Sequence, residues 1–391
     1  MQISRTDRSV FGHWWWTIDR GVLGGLMLLV LCGILLVSSA SPAVAERINL
    51  PAFHFLTRHI IFLVPTLAAM IGLSFMGPTG IRRSAILTYA GAMVLVLATL
   101  FFGEEIKGAT RWLHIFGFSL QPSEFLKPSF AVLSAWLISR QRDDKSFPGL
   151  TASFIVLFAT LLFLMAQPDF GMSFVIAVIW GVQIFLSGLP FALFAVLGLA
   201  GVGAIFAAYF TFPHVASRID RFLNPASGDN YQVEKSLDSF ANGGLFGTGP
   251  AQGQIKLSLP DSHADFIFAV AGEEFGLIFT ILIVCVYAFI IIRSMKRTMP
   301  TGDLFILLSV GGLIAQFALQ TLIHMGSSIQ LLPAKGMTLP FISYGGSSLL
   351  ALGMGMGFLL ALTKKRPEAI RKRNISARYP YAPGRKENYD R

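Results

Sequence analysis

The sequence predicts an all-α polytopic membrane protein of about ten spanning helices, and three observations carry the prediction. Charged residues make up 13% of the chain and hydrophobic residues 54%, whereas an average soluble domain carries about 25% charged residues. A soluble chain of 391 residues could not hide that much apolar surface and still cover itself with polar groups. The apolar residues, 35 Phe among them, also fall into runs of about 20, the length one helix needs to cross the hydrocarbon core.

In chain order the runs are 20–40, 54–76, 83–103, 124–140, 150–167, 171–188, 190–212, 265–292, 303–325 and 340–363. Residues 1–19 precede them, 20–363 form one ten-span membrane domain, and 364–391 form a basic tail expected to be disordered along an anionic inner leaflet. Both cysteines, Cys32 and Cys285, lie inside apolar runs, which excludes a disulfide framework and argues against a cysteine metal site. The net charge of +10 sits at the ends of runs and in the tail, a pattern of membrane orientation rather than nucleic-acid binding. Arg82-Arg83, Arg140, Arg142, Lys145, Arg293, Lys296, Arg297 and Lys364-Lys365-Arg366 all fall on one side if the N-terminus is cytoplasmic. Both termini are then inside.

Before the first run, Trp14-Trp15-Trp16 beside Asp19-Arg20 reads as an interfacial anchor for a retained helix. The competing reading is a signal peptide ending at Ala43-Val44-Ala45. Before the fourth run, Pro122 suits a helix start, with Glu124 and Lys127 three residues apart on one face. Taken alone, that pair reads first as a local ion pair. The fifth and sixth runs are joined only by Gln167-Pro168-Asp169-Phe170-Gly171, so they are antiparallel neighbours.

One outer loop, 211–264, is far longer than the rest, and long loops are usually functional. It carries Arg218, Asp220, Arg221 and the glycine cluster Gly243–Gly249. The cluster lacks the flanking strand and Lys-Ser/Thr of a nucleotide site. It reads as a turn-rich scaffold, with anion binding by backbone N–H groups as the minor alternative.

The loop ends in Asp261, His263 and Asp265, the last at the start of the eighth run, with Glu273-Glu274 about 12 Å further along the helix. Two adjacent carboxylates there must face a cavity, pair with a basic residue or be protonated. In the ninth run Gln316, Gln320 and His324 form one polar stripe, read as interhelical hydrogen bonding toward the bundle interior. Lys335–Ser348 then re-enters the membrane, its Gly and Ser suiting close helix contact or an unwound segment.

Together these segments resemble the SEDS family of bacterial cell-wall polymerases over about residues 18–365. The motifs are GAxRW at Gly108–Trp112, QPSEFxKP at Gln121–Pro128, QPDFG at Gln167–Gly171 and RIDRFLNP at Arg218–Pro225. They continue with GGLFGTGP at Gly243–Pro250, LPDSHADFIFAVAGEE at Leu259–Glu274 and LLPAKGMTLPFISYGGSS at Leu331–Ser348. The WWWTIDR start and the full Gln330–Ser348 run favour the division branch of the family, with the elongation branch second. His324, Ser327 and Ser328 depart from the Asn-rich pattern common in the family, and Gln330 stands where Gly is usual.

The resemblance implies an enzyme of the bacterial inner membrane at the division septum. Such an enzyme polymerises lipid II into glycan strands on the outer face, with undecaprenyl diphosphate as the leaving group. It implies a class B penicillin-binding protein and other division proteins as partners, the former against spans eight and nine. The family's essential aspartate falls on Asp265, the expected catalytic base. Arg111, Glu124, Lys127, Arg218, Arg221, His263, Lys335, Ser343 and Tyr344 are the expected substrate-binding residues. No organic cofactor is needed, because the donor is activated by its own diphosphate; a divalent cation could share the charge. A lipid II flippase and a recruiting scaffold are the alternatives from other classes. The first would need alternating access, and the second leaves the outer polar cluster without a purpose.

Overall fold

The computed structural model describes residues 9–106, 109–115, 117–188, 198–199, 201, 203, 206–207, 209–211, 213–223, 231–333 and 336–365. Lys335, much of the expected seventh span and the tail from 366 lie outside the described residues. Helices run α1 Val10–Thr17, α2 Arg20–Arg47, α3 His54–Ser74, α4 Pro78–Phe102, α5 Ser123–Asp143, α6 Gly149–Ala166, α7 Phe170–Leu186, α8 Pro213–Leu223, α9 Tyr231–Gly243, α10 Ile267–Thr298, α11 Leu304–Ser328 and α12 Gly346–Leu362. Every expected span except the seventh is represented by one of these helices. The long loop between the seventh and eighth runs carries two of its own, α8 and α9.

Six helices (α2, α3, α4, α6, α10 and α11) are long and apolar enough to cross a membrane, and α7 and α12 are shorter apolar helices. The helix α5 is more polar because it is the hub: α4, α6, α7, α11 and α12 all pack on it. Its hydroxyls are satisfied within the bundle. Ser129 Oγ donates to the Phe125 carbonyl (2.6 Å). Ser134 Oγ donates to Gln183 Oε1 (2.5 Å), and Gln183 Nε2 donates to the carbonyls of Ala131 and Leu308. One glutamine thereby ties α5, α7 and α11 together, a buried polar knot that is favourable only when complete. The helix α12 is buried from Ala351 to its end and lies so close to α3 that a Cβ on Gly353 would come within 2.5 Å of Thr66. As expected, α6 and α7 pack as an antiparallel pair.

Residues 104–120 add a small antiparallel sheet, β1 Glu104–Ile106, β2 Ala109–Ile115 and β3 Phe118–Leu120, in the order β1-β2-β3. Sequence reading assigned no strand there. The segment is short, lies between spans, and its strands pair with one another instead of continuing a helix.

At one end of the bundle Asp19 is buried and accepts from Arg293 Nε (2.7 Å) and Arg297 Nη1 (2.6 Å). Arg297 also donates to the carbonyls of Thr17 and Thr363. The start of α2, the end of α10 and the end of α12 therefore share this end. Trp14 is packed into the bundle, its Nε1 donating to Ser74 Oγ (2.8 Å) while the ring stacks on Phe75. Trp15 and Trp16 instead lie under the Arg20 guanidinium.

At the opposite end α10 is broken at Gly276, whose φ of 77° and ψ of −177° are not helical. The glycine cluster fills the break. Thr248 N and Gly249 N donate to the carbonyls of Glu273 and Glu274, while Leu277 N and Ile278 N donate to those of Gly244 and Leu245. The loop thus supplies the partners that a broken helix would otherwise lack. A Cβ at Gly276 would lie 2.4 Å from Gly247 N, so the break requires glycine on steric as well as dihedral grounds. This is the scaffold role expected of the cluster.

Candidate functional site

Asp265 sits in a turn, two residues ahead of α10 rather than in its first turn. Ala264 N and Asp265 N both donate to the Asp261 carbonyl (2.9 and 3.0 Å), so the turn winds around one oxygen. Asp265 is partly exposed.

The turn rests on the unwound segment 336–345, which precedes α12. Tyr344 N donates to the His263 carbonyl (3.0 Å). Ser343 Oγ donates to the Ala264 carbonyl (2.7 Å) and accepts from Leu339 N (2.8 Å). The two residues preceding Asp265 are thereby fastened by Ser343 and Tyr344, two of the expected site residues. On its other side Asp265 is bounded by Gly336, where a Cβ would lie 3.3 Å from Oδ2.

The His263 ring is buried against Phe55 (centroids 4.0 Å) and Tyr344 (5.3 Å). Burial pulls its pKa down to about 4 against the opposing charge of Asp261. At neutral pH it offers an uncharged imidazole, not a cation.

The same unwound segment reaches the polar stripe of α11. His324 Nδ1 bonds the Met337 carbonyl (2.7 Å). Gln320 Nε2 donates to Thr338 and to Ser348 Oγ, while its Oε1 accepts from Lys127 Nζ (3.2 Å). Lys127 also pairs with Glu124 (2.8 Å), and both are buried, the lysine side chain 1% exposed. Gln320 and His324 thus make the hydrogen bonds expected of the stripe, whereas Gln316 is buried with its Oε1 unbonded, and Glu124–Lys127 is the local pair expected at a helix start, seated in the interior. His263, Ala264, Gln320 and His324 bond residues 336–348 directly, and the Lys127–Glu124 pair reaches that segment only through Gln320.

Arg111 does not join this group through any bond among the described residues. Its Nε donates to the Gln167 carbonyl (3.3 Å), Nη2 donates to that of Pro168, and Nε stands 3.7 Å from Asp169 Oδ2. It clamps β2 to the α6–α7 hairpin. Arg218 and Arg221 lie on α8, and their side chains, like Lys335 as a whole, are outside the described residues. Among the described residues no group of three His, Cys, Asp or Glu could hold a metal ion.

Sequence reasoning left the partner of Glu274 open. It is Lys256, 5% exposed, which pairs with Glu274 Oε1 and donates to Ser39 Oγ (2.9 Å). Lys256 is the one lysine or arginine between the glycine cluster and Asp265, a signal that could have found it. Gly336 was legible only as part of a Gly- and Ser-bearing segment.

Comparison with known proteins places residues 20–368 within the cell cycle protein family that groups FtsW, RodA and SpoVE. The chain is 41% identical over 367 residues, 94% of each chain, to the probable peptidoglycan glycosyltransferase FtsW of Caulobacter vibrioides. It is 32% identical over 346 residues to stage V sporulation protein E of Bacillus subtilis, covering 86% of this chain and 94% of that one. Its fold matches a chain of a peptidoglycan synthase complex that coordinates polymerisation and crosslinking, with TM-score 0.72 and 23% identity over 89% of this chain and 98% of that chain. It also matches the rod shape determining protein RodA of Thermus thermophilus, with TM-score 0.66 and 23% identity over 89% and 97%.

Proposed function

The chain belongs to the FtsW, RodA and SpoVE cell cycle protein family, and on that premise we propose that Asp265 is the general base with which it polymerises lipid II. The protein is a multi-pass inner-membrane peptidoglycan glycosyltransferase that acts with a class B penicillin-binding protein. The glycine cluster and Asp265 face the outside, the Asp19 end faces the cytoplasm, and the enzyme works at the division septum with other division proteins.

The step is a single inverting displacement. The acceptor sugar hydroxyl attacks the donor anomeric carbon, a new C–O bond forms, and the bond to undecaprenyl diphosphate breaks. The hydroxyl proton passes to the Asp265 carboxylate, as to the base of an inverting glycosidase. The departing diphosphate carries the charge that basic groups must balance. Lys127, Arg218, Arg221 and Lys335 are the groups for that task, with Glu124 orienting Lys127. Arg111, its guanidinium taken up by the hairpin, holds the scaffold. Ser343, Tyr344 and His263 line and fix the acceptor side.

The observation that carries the reading is the seating of Asp265. A partly exposed carboxylate stands on a turn fastened to the unwound segment that Gln320 also bonds, and Gln320 in turn accepts from the buried Lys127. The decisive experiment uses purified Asp265→Asn protein with labelled lipid II and resolves glycan ladders on a gel. Asparagine keeps the size and removes the base, so a loss of about 10²–10⁴-fold is expected with the fold retained. Long glycan at a near-normal rate would overturn the assignment.

A further inference from the structure

The reaction above makes no use of Glu273 and Glu274, yet both carboxylates are buried and occupied. Glu273 Oε1 accepts from Ile255 N (2.7 Å) and Asn242 Nδ2 (3.1 Å), and its Oε2 accepts from Lys256 N (3.0 Å). Glu274 pairs with Lys256 Nζ and also accepts from Ser39 Oγ and Ala251 N (3.1 Å). Arg47 Nη2, at the end of α2, reaches the carbonyl of Leu257. The backbone carbonyls of the same two glutamates accept from Thr248 and Gly249.

The geometry has a consequence for the turn that bears Asp265. The segment 257–266 that contains this turn begins just after Lys256 and ends where α10 begins, and α10 leads directly to Glu273. Both ends of this segment are therefore referred to one pair of adjacent residues, the incoming end by hydrogen bonds and the outgoing end by the helix. A buried carboxylate is a costly way to gain stability alone. With three donors converging on it, its bonds are complete in one geometry only, which suits it to fixing position.

We infer that Glu273 is a positioning residue for Asp265: its carboxylate fixes the incoming end of the segment 257–266, and Glu274 neutralises Lys256 beneath it. The inference rests on Asp265 as the base. Misplacement of a reacting group by about 1 Å can cost 10²-fold in rate, so loosening this latch acts on turnover rather than on substrate binding.

The test compares Glu273→Ala, Glu273→Gln, Asn242→Ala and Asp265→Asn in purified full-length protein, with glycan synthesis from lipid II, melting, and amide hydrogen exchange as readouts. In Glu273→Ala the amides of Ile255 and Lys256 should lose protection while those of α10 beyond Gly276 keep it. At the same time kcat per folded molecule should fall toward 10²-fold with KM little changed. Glu273→Gln keeps one acceptor oxygen and should recover to within about fivefold of the native kcat. If Glu273→Ala does not fold, Gly253→Ala replaces it, because a Cβ there would lie 2.7 Å from Glu273 Oε2 and pushes on the latch without removing it. Loss of amide protection with unchanged kcat would overturn the inference, as would a kcat loss no greater than the loss of folded protein. A near-normal rate in Asp265→Asn would instead remove the reading on which it rests.

Discussion

Gly336 bounds the Asp265 carboxylate: a Cβ on Gly336 would lie 3.3 Å from Oδ2, and its backbone sits in the left-handed region at φ +63°. Glycine suits the position twice, because the dihedral strains an L side chain and a Cβ would crowd the carboxylate. Gly336→Ala is expected to strain the backbone by about 1–2 kcal/mol and to push the carboxylate aside. Glycan synthesis should then fall by more than melting does. A variant with native turnover would show that the carboxylate has slack in its seat.

The buried Lys127–Glu124 pair separates structure from substrate binding. Lys127→Met leaves Glu124 buried without its counter-charge, and breaking such a pair costs about 3–5 kcal/mol. Adding Glu124→Gln should restore most of the melting temperature. If Lys127 holds the diphosphate, the double variant stays folded and keeps a raised KM for lipid II. Recovery of KM together with stability would reduce the pair to a local one.

For Arg111 the expectation is reversed. Its contacts are to carbonyls and a carboxylate of the chain itself, so Arg111→Gln should lower stability by about 1–3 kcal/mol. KM for lipid II should be unaffected. Melting and steady-state kinetics on one preparation decide it, and a raised KM at native stability would return Arg111 to the diphosphate site.

The difference between these two cations shows where sequence stops being informative. Runs of about 20 apolar residues are forced by bilayer thickness, so the nine spans that a described helix represents were readable one by one. Spacing along one helix also survives folding, and Glu124–Lys127 and Gln320–His324 came out on the faces their intervals dictate. What a loop touches is set by long-range packing, and no periodicity records it. Arg111 and Lys127 looked alike in the sequence, yet one clamps a hairpin and the other lies in the interior. The break at Gly276 was hidden for the same reason: a glycine inside an apolar run reads as continuous helix until the loop that fills it is seen.

His263 makes stability depend on pH. In the fold its pKa is about 4 because burial disfavours the cation, against an ordinary 6.5 when exposed. Below pH 6.5 the unfolded chain takes up a proton that the fold refuses, so stability declines as pH falls from 6.5 toward 4. The slope approaches about 1.4 kcal/mol per pH unit from this group. His263→Gln should lessen the drop in melting temperature between neutral and acidic buffer. An identical drop in both proteins would show that the ring is protonated in the fold.

The last prediction concerns the partner. Beyond the break, α10 exposes Ile278, Ile281, Leu282, Cys285, Phe289 and Ile292. Their intervals of three, four and seven place them on one stripe, facing lipid or another helix. Ala288, beside the stripe, is half-buried, so a bulky residue there would disturb the bundle itself. Cys285 is the smallest side chain of the stripe and the place to add bulk without touching the core. A single-span partner packed on this stripe would bear on the segment that continues, through Gly276, into the Glu273–Glu274 latch and the Asp265 turn. Activity should therefore be low alone and rise with a class B penicillin-binding protein. Cys285→Trp should reduce that rise and leave the basal rate unchanged. The check is glycan synthesis across partner concentrations that form complex, with complex formation measured in parallel. Equal stimulation of native and variant enzyme would place the partner on another face, and no stimulation of either would remove the control altogether.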